Sequence, residues 1–226
     1  MTKIFCDIAD INLIKKFNRK FIVKGFTTNP SLMRKVGAKN YKAYCQKILK
    51  ITNKPVSFEV FADDIKNMIL QGLKISKWGR NVYVKVPVTN SKGKFTGKVI
   101  NHLNNKKIKL NITAVYTSKQ TKQILKKIKN KNTKVIISIF AGRAADMGKD
   151  PIPEFKKSIS FSKKFPNVEI LWASVREPYN YIQANQIGCD IITIPPKTIQ
   201  QIENFGKSFH DLTIETVKGF LIDSRK

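Results

Sequence analysis

A chain of 226 residues with 42% hydrophobic content, 11 Gly and 9 Pro is long enough to bury a full core, which excludes a disordered, collagen-like or disulfide-scaffold protein. Its 43 Lys and Arg against 15 Asp and Glu give a formal charge of +28, which raises nucleic acid as a partner. Only six of these cations are arginines, the residue that base readout and bidentate phosphate clamping favour, so the lysine excess reads as composition and nucleic-acid binding is not expected.

Along the chain, short apolar runs alternate with longer amphipathic stretches. Strands are expected at 3–7, 21–27, 56–61, 82–86, 109–113, 134–140, 168–174 and 190–194. Helices are expected at 11–17, 41–51, 64–77, 97–103, 118–129, 151–164, 178–186 and 198–204. Eight such units in this length predict a single (β/α)8 TIM barrel over 1–226, although a doubly wound open sheet has the same rhythm. The first strand runs into Asp7-Ile8-Ala9-Asp10 instead of a GxGxxG turn, and no GxxxxGK[ST] motif occurs, which favours the barrel. A last apolar-periodic segment, 209–222, lies in a helical extension at 206–226 that either folds onto its own barrel or packs on a neighbouring subunit.

No run approaches the length of a membrane span, and Asp7 and Asp10 interrupt any signal-peptide core, so no membrane partner and a cytoplasmic location are expected. Cys6, Cys45 and Cys189 have unrelated spacings and read as buried free thiols. With only His102 and His210 in the chain, a metal site or a His-based triad is not expected, nor is a cofactor.

Strand parity then exposes polar residues that a barrel core would not choose. In Val82-Tyr83-Val84-Lys85-Val86 the valines share the helix-facing parity, so Lys85 points inward. The same test turns Asp7, Glu59, Asn111, Thr113, Ser138 and Phe140 inward, and places Ile170 and Trp172 on an inward parity with Ser174. Each polar member sits near the C-terminal end of its strand, where barrel enzymes build their sites. Singly, each has a structural explanation: Glu59 and Lys85 as a buried ion pair, Thr113 bonded to backbone, Asn29 as an N-cap ahead of Pro30. Together they predict a polar pocket on one rim. Burial disfavours the charged form of an amine and frees it to attack carbonyls, and nearby carboxylates can manage the proton transfers of imine formation. Arg143 and Arg176, beyond the sixth and seventh strands, make a candidate phosphate clamp.

Gly25-Phe26-Thr27-Thr28-Asn29-Pro30-Ser31, Val84-Lys85-Val86-Pro87-Val88-Thr89, Thr113-Ala114-Val115-Tyr116, Gly142-Arg143 with Asp146, and Ala173-Ser174 together resemble the short-subunit branch of the transaldolase family, which also contains the fructose-6-phosphate aldolases. The resemblance runs over essentially the whole chain, with Ile139 standing where proline is common. It implies a (β/α)8 barrel with Lys85 as the imine-forming lysine, Glu59 as the acid/base working through a water held by Thr113, and Asp7 taking the proton of the C4 hydroxyl. It further implies that Asn29, Asn111 and Ser138 hold the dihydroxyacetone hydroxyls, with Thr27 and Phe140 beside them, and that Arg143, Ser174 and Arg176 bind phosphate. Sugar phosphates would be the substrates, and a homo-oligomer, a pentamer or decamer, the assembly. The family's aldolases look like Gln at the place of Glu59 and Tyr at the place of Phe140, so transaldolase is expected above aldolase. A polyanion-binding protein on an old enzyme fold is the non-enzymatic alternative.

Overall fold

The computed structural model describes residues 1–225; Lys226, the last residue of the expected 206–226 extension, lies outside them. Eight parallel strands close into a barrel in chain order: β1 (Lys3–Asp7), β2 (Val23–Thr27), β3 (Val56–Glu59), β4 (Val82–Pro87), β5 (Leu110–Val115), β6 (Val135–Phe140), β7 (Val168–Ala173) and β8 (Ile191–Ile194), with β8 pairing back onto β1. The helices between them are α1 (Ile11–Asn18), α2 (Pro30–Lys35), α3 (Tyr41–Leu49), α4 (Ile65–Ser76), α5 (Gly97–Asn105), α6 (Ser118–Leu125), α7 (Ala141–Ala145), α8 (Ile152–Ser162), α9 (Tyr179–Gln186) and α10 (Pro196–Glu203), and α11 (Phe209–Asp223) follows.

Two apolar layers hold the barrel. Outward-facing Val56, Phe58, Val82, Val84, Val86, Ile112 and Ile137 pack against the helices in one large buried cluster. Inside, Phe5, Tyr83, Ile136, Leu171 and Ile191 plug the barrel with their own smaller cluster, on which Phe140 rests. The helices start where the strands stop because the intervening turns supply caps: Asp10, Asn29, Asp64 and Thr117 each accept a backbone N–H three residues on. Such a cap stabilises a helix by about 1 kcal/mol.

Several boundaries move for identifiable reasons. Strand β2 starts at Val23, because Lys20 and Val23 close a turn that leaves Phe21 at 88% exposure. Helix α6 stops at Leu125, and the following turn is pinned by Asn104 Oδ1, which accepts the N–H groups of Lys129 and Asn130. Strand β5 runs on to Val115 through an irregularity in its pairing with β6, where Ala114 takes a positive φ of 58°. Bulges of this kind re-aim side chains at barrel rims.

The parity of β7 is a correction. Ile170 and Trp172 face outward, Trp172 stacking on Phe155 of α8 with ring centroids 4.6 Å apart, while Leu171 and Ala173 face in. The register requires this, since Leu171 lies opposite Ser138 and Ala173 opposite Phe140. Ser174 therefore does not owe its place to strand parity; a left-handed φ of 63° just past the strand end turns it toward the rim. Helix α11 buries none of its residues. Among the described residues no helix is long and apolar enough to cross a membrane. All three cysteines are free and buried, and burial pushes the Cys45 and Cys189 thiols up to about 12, so they remain protonated.

Candidate active site

At the C-terminal mouth of the barrel the strand ends enclose a cavity of 580 Å³. All twelve residues singled out from the sequence line it: Asp7, Thr27, Asn29, Glu59, Lys85, Asn111, Thr113, Ser138, Phe140, Arg143, Ser174 and Arg176. They come from seven different strands or the turns after them, which the closed parallel sheet alone brings together.

Lys85 is the centre of the arrangement. Its residue is 7% exposed, and its Nζ lies 3.2 Å from Glu59 Oε2 and donates to the Thr28 carbonyl at 3.0 Å. Glu59 and Lys85 are opposite one another in the β3–β4 register, which fixes their approach through backbone pairing. Asp7 faces the same space and accepts from Thr27 Oγ1 at 2.7 Å. Burial raises its carboxyl above the ordinary range, and the Lys85 charge and the Thr27 hydrogen bond pull it back. The mouth thus holds one buried amine, a carboxylate paired with it, and a second carboxyl whose protonated form burial favours.

Below them runs a chain of neutral groups. Ser138 Oγ donates to Asn111 Oδ1 at 2.7 Å, and Asn111 Nδ2 donates to Ser57 Oγ at 3.0 Å. This orients both ends of the Asn111 amide above the apolar plug. Thr113 Oγ1 is buried and has no protein partner among the described residues. Asn29 does both things its sequence allows: Oδ1 caps α2 by accepting from Leu32 N at 2.9 Å, and the residue still lines the cavity.

The rim carries the cations. Arg143 lies over the Phe140 ring, 5.7 Å from its centroid. Arg176 is forked onto Asp146, with Nε 3.0 Å from Oδ1 and Nη2 2.5 Å from Oδ2, and this pairing lowers the Asp146 carboxyl below its usual range. Some residues at or beneath the cavity escaped the sequence reading. Thr193, which lines it, and Ser57, which lies under it as the partner of Asn111, sit on strands whose alternation could have found them; Thr193 Oγ1 meets Thr27 Oγ1 at 2.5 Å. Lys35 reaches the cavity from the short helix α2, for which the sequence holds no comparable signal.

Fold and pocket together define a (β/α)8 barrel with a single buried lysine between two carboxylates at its C-terminal mouth. Comparison with known proteins gives this class a family. The family described as Transaldolase/Fructose-6-phosphate aldolase matches residues 4–225. A "Probable transaldolase" of Nitrosopumilus maritimus (strain SCM1) is 34% identical over 226 residues, covering 99% of this chain and 95% of that protein. A "Probable transaldolase" of Sulfurihydrogenibium sp. (strain YO3AOP1) is 35% identical over 224 residues, covering 98% and 95% of the two chains. A crystal structure titled "a putative phosphonomutase from Burkholderia cenocepacia J2315" superposes with a TM-score of 0.62 at 9% identity, covering 98% of this chain and 94% of that one, a likeness of fold alone. The chain belongs to the transaldolase/fructose-6-phosphate aldolase family and is an enzyme of that type.

Proposed function

We propose that the protein is a cytoplasmic transaldolase of the non-oxidative pentose phosphate pathway, moving a dihydroxyacetone unit from sedoheptulose 7-phosphate to glyceraldehyde 3-phosphate through a Schiff base on Lys85. The observation that carries this reading is the Lys85 amine, 3.2 Å from one carboxylate and facing a second whose carboxyl burial has raised.

The Lys85 amine adds to the C2 carbonyl, and the carbinolamine loses water to form the imine, with Glu59 moving protons through a water held by Thr113. The buried, unpartnered Thr113 hydroxyl supports that water. Asp7 then takes the C4 hydroxyl proton as the C3–C4 bond breaks. The bonding pair flows into the imine, the aldehyde leaves, and a three-carbon enamine stays on Lys85. An acceptor aldehyde reverses these steps, Asp7 returns its proton to the new hydroxyl, and water releases the ketose. The raised carboxyl of Asp7 fits a group that must accept a proton and give it back. Asn29, Asn111 and Ser138 hold the hydroxyls of the three-carbon unit, Thr27 keeps Asp7 aimed, and Arg143, Ser174 and Arg176 receive the phosphate. Phe140 presents an apolar ring beside the enamine and has no proton to give it, which favours transfer over release of free dihydroxyacetone.

Borohydride reduction in the presence of fructose 6-phosphate, followed by peptide mass spectrometry, should place a reduced three-carbon adduct on Lys85. No adduct, or one on another lysine, overturns the reading. Free dihydroxyacetone formed faster than transfer to an acceptor aldehyde would assign the chain to the aldolase activity instead.

A further inference from the structure

A parallel barrel sorts its connections. Turns that follow strands gather on the mouth that holds the cavity, and turns leading from a helix back into a strand gather on the opposite face. The charge of this chain is sorted unevenly by that rule. Of the seven helix-to-strand turns, six, 19–22, 50–55, 77–81, 106–109, 126–134 and 163–167, hold sixteen Lys and Arg and no Asp or Glu, and the seventh, 187–190 before β8, holds Asp190 and no cation. On the cavity side, the segments 8–10, 28–29, 36–40, 60–64, 88–96, 116–117, 146–151, 174–178 and 195 hold five cations and six acids. The six turns lead into β2 through β7, which are neighbours around the sheet, so the cations form one continuous arc.

Complementing the helix dipoles accounts for one or two cations at each helix end, an effect confined to the last turn. It does not account for five lysines in the nine residues 126–134, whose mutual repulsion disfavours the fold, nor for the exclusion of acids from six turns. Lys106, Lys107, Lys129, Lys131 and Lys134 are exposed. Aromatic rings lie among the cations: Phe21 is 88% exposed with Lys24 Nζ 3.6 Å from its centroid, and half-buried Phe165 sits under Lys131 at 5.9 Å.

We infer that this face docks the phosphodiester backbone of nucleic acid, independently of base sequence. A strand of phosphates is a partner whose repeated negative charge suits an arc of cations, and the release of its counterions drives the contact. Lysine, a mobile point charge, suits phosphates without reading bases, and the exposed Phe21 ring offers stacking to an unpaired base. An anionic lipid surface fits less well, because stable membrane attachment adds substantial apolar insertion to charge, and among the described residues Phe21 is the one strongly exposed large apolar side chain of the six turns. The cavity opens on the other side of the barrel, so a docked strand leaves it accessible. The inference does not depend on the catalytic reading.

The test is fluorescence anisotropy of the full-length protein with a labelled mixed-sequence RNA of about 20 nucleotides, titrated across salt concentrations. Micromolar binding near 0.1 M salt is expected, with affinity falling steeply as salt rises. Lys106→Gln, Lys129→Gln and Lys134→Gln combined should weaken binding at least about tenfold and cut the log–log salt slope by about 2, at about 0.7 per phosphate contact. Lys39→Gln, Lys92→Gln and Lys94→Gln, an equal charge change on the cavity side, should leave the slope unchanged, and circular dichroism should show both variants folded. Equal losses in the two variants, or no binding up to about 100 µM at that salt, overturn the inference. So does tighter binding to phosphatidylserine vesicles that RNA fails to displace.

Discussion

Gly142, in α7 directly after β6, packs against the turn after β7, and replacing it with alanine tests whether that contact sets the site. A Cβ on Gly142 would lie 1.9 Å from the Ser174 carbonyl oxygen and 2.8 Å from Arg176 Cγ. Non-bonded carbon and oxygen keep about 3 Å or more apart, so Gly142→Ala must drive the two backbones apart by about 1 Å. Overpacking of this kind costs about 1–3 kcal/mol, which in a protein of this size lowers Tm by about 3–10 °C. The displaced residues include Ser174, already held at a strained positive φ, and Arg176. A misplacement of about 1 Å can cost about a hundredfold in rate, so kcat/KM for a phosphorylated donor should fall by about that factor. Differential scanning fluorimetry and a coupled assay of donor cleavage measure the two effects. Gly148→Ala is the control: it is strained by a φ of +70° but has no neighbour within 4 Å, so it should lower Tm while leaving kcat/KM intact. If Gly142→Ala keeps the parental Tm and kcat/KM, the close approach does not set the site.

Three further outcomes follow from the same geometry. Asp7→Asn should abolish turnover yet stabilise the fold at neutral pH: burial raises the Asp7 carboxyl, so this group's stabilising contribution is complete below its unfolded pKa and is lost as pH rises through the raised value. Melts of the two proteins should therefore converge near pH 4, and a variant less stable at neutral pH would refute the sign. Arg143→Ala and Arg176→Ala should each raise KM for a phosphorylated substrate by about ten- to a hundredfold, with little effect on an unphosphorylated ketose; equal effects on both would remove the arginines from the phosphate. Helix α11 exposes Val217 at 57% and Phe220 at 69%, so light scattering should find the parent protein as a homo-oligomer and a Val217→Glu/Phe220→Glu variant as single chains. A monomeric parent would show that α11 has another role.

The barrel was legible in the sequence because its rhythm is set by local chemistry. Apolar runs of strand length recur between caps such as Asp10, Asp64 and Thr117, and these signals act within a few residues. The inward set Asp7, Glu59, Lys85, Asn111 and Thr113 was legible for the same reason, since period-2 alternation along a strand survives folding unchanged. What was misread depends on registers and turns between distant segments. Ile170 and Trp172 alternate as cleanly as any pair, but which parity faces in is decided by pairing with β6 and by the Phe155 ring waiting outside. Ser174 and Ala114 reach the cavity through positive φ angles at non-glycine residues, a conformation that residue type does not announce. The charge shows the same division: sixteen cations look dispersed along the chain, and only the barrel's sorting of its turns collects them on one face.

The fork between Arg176 and Asp146 bears on how a substrate would leave as well as how it would arrive. Both side chains are about half exposed, at 48% and 49%, and solvent reaches the pair freely. A guanidinium already matched by a carboxylate projects little field into solution, so in the proposed role Arg176 would contribute little to drawing an anion in from a distance, leaving that task to Arg143 and Lys35, which also line the cavity. In the proposed role, phosphate at Arg176 arrives by exchange: it displaces Asp146 from a fork the carboxylate already fills. When the product departs, the same carboxylate stands ready to take the guanidinium back. An enzyme that must release one sugar phosphate before receiving another gains turnover from such a standing competitor, at the cost of some affinity.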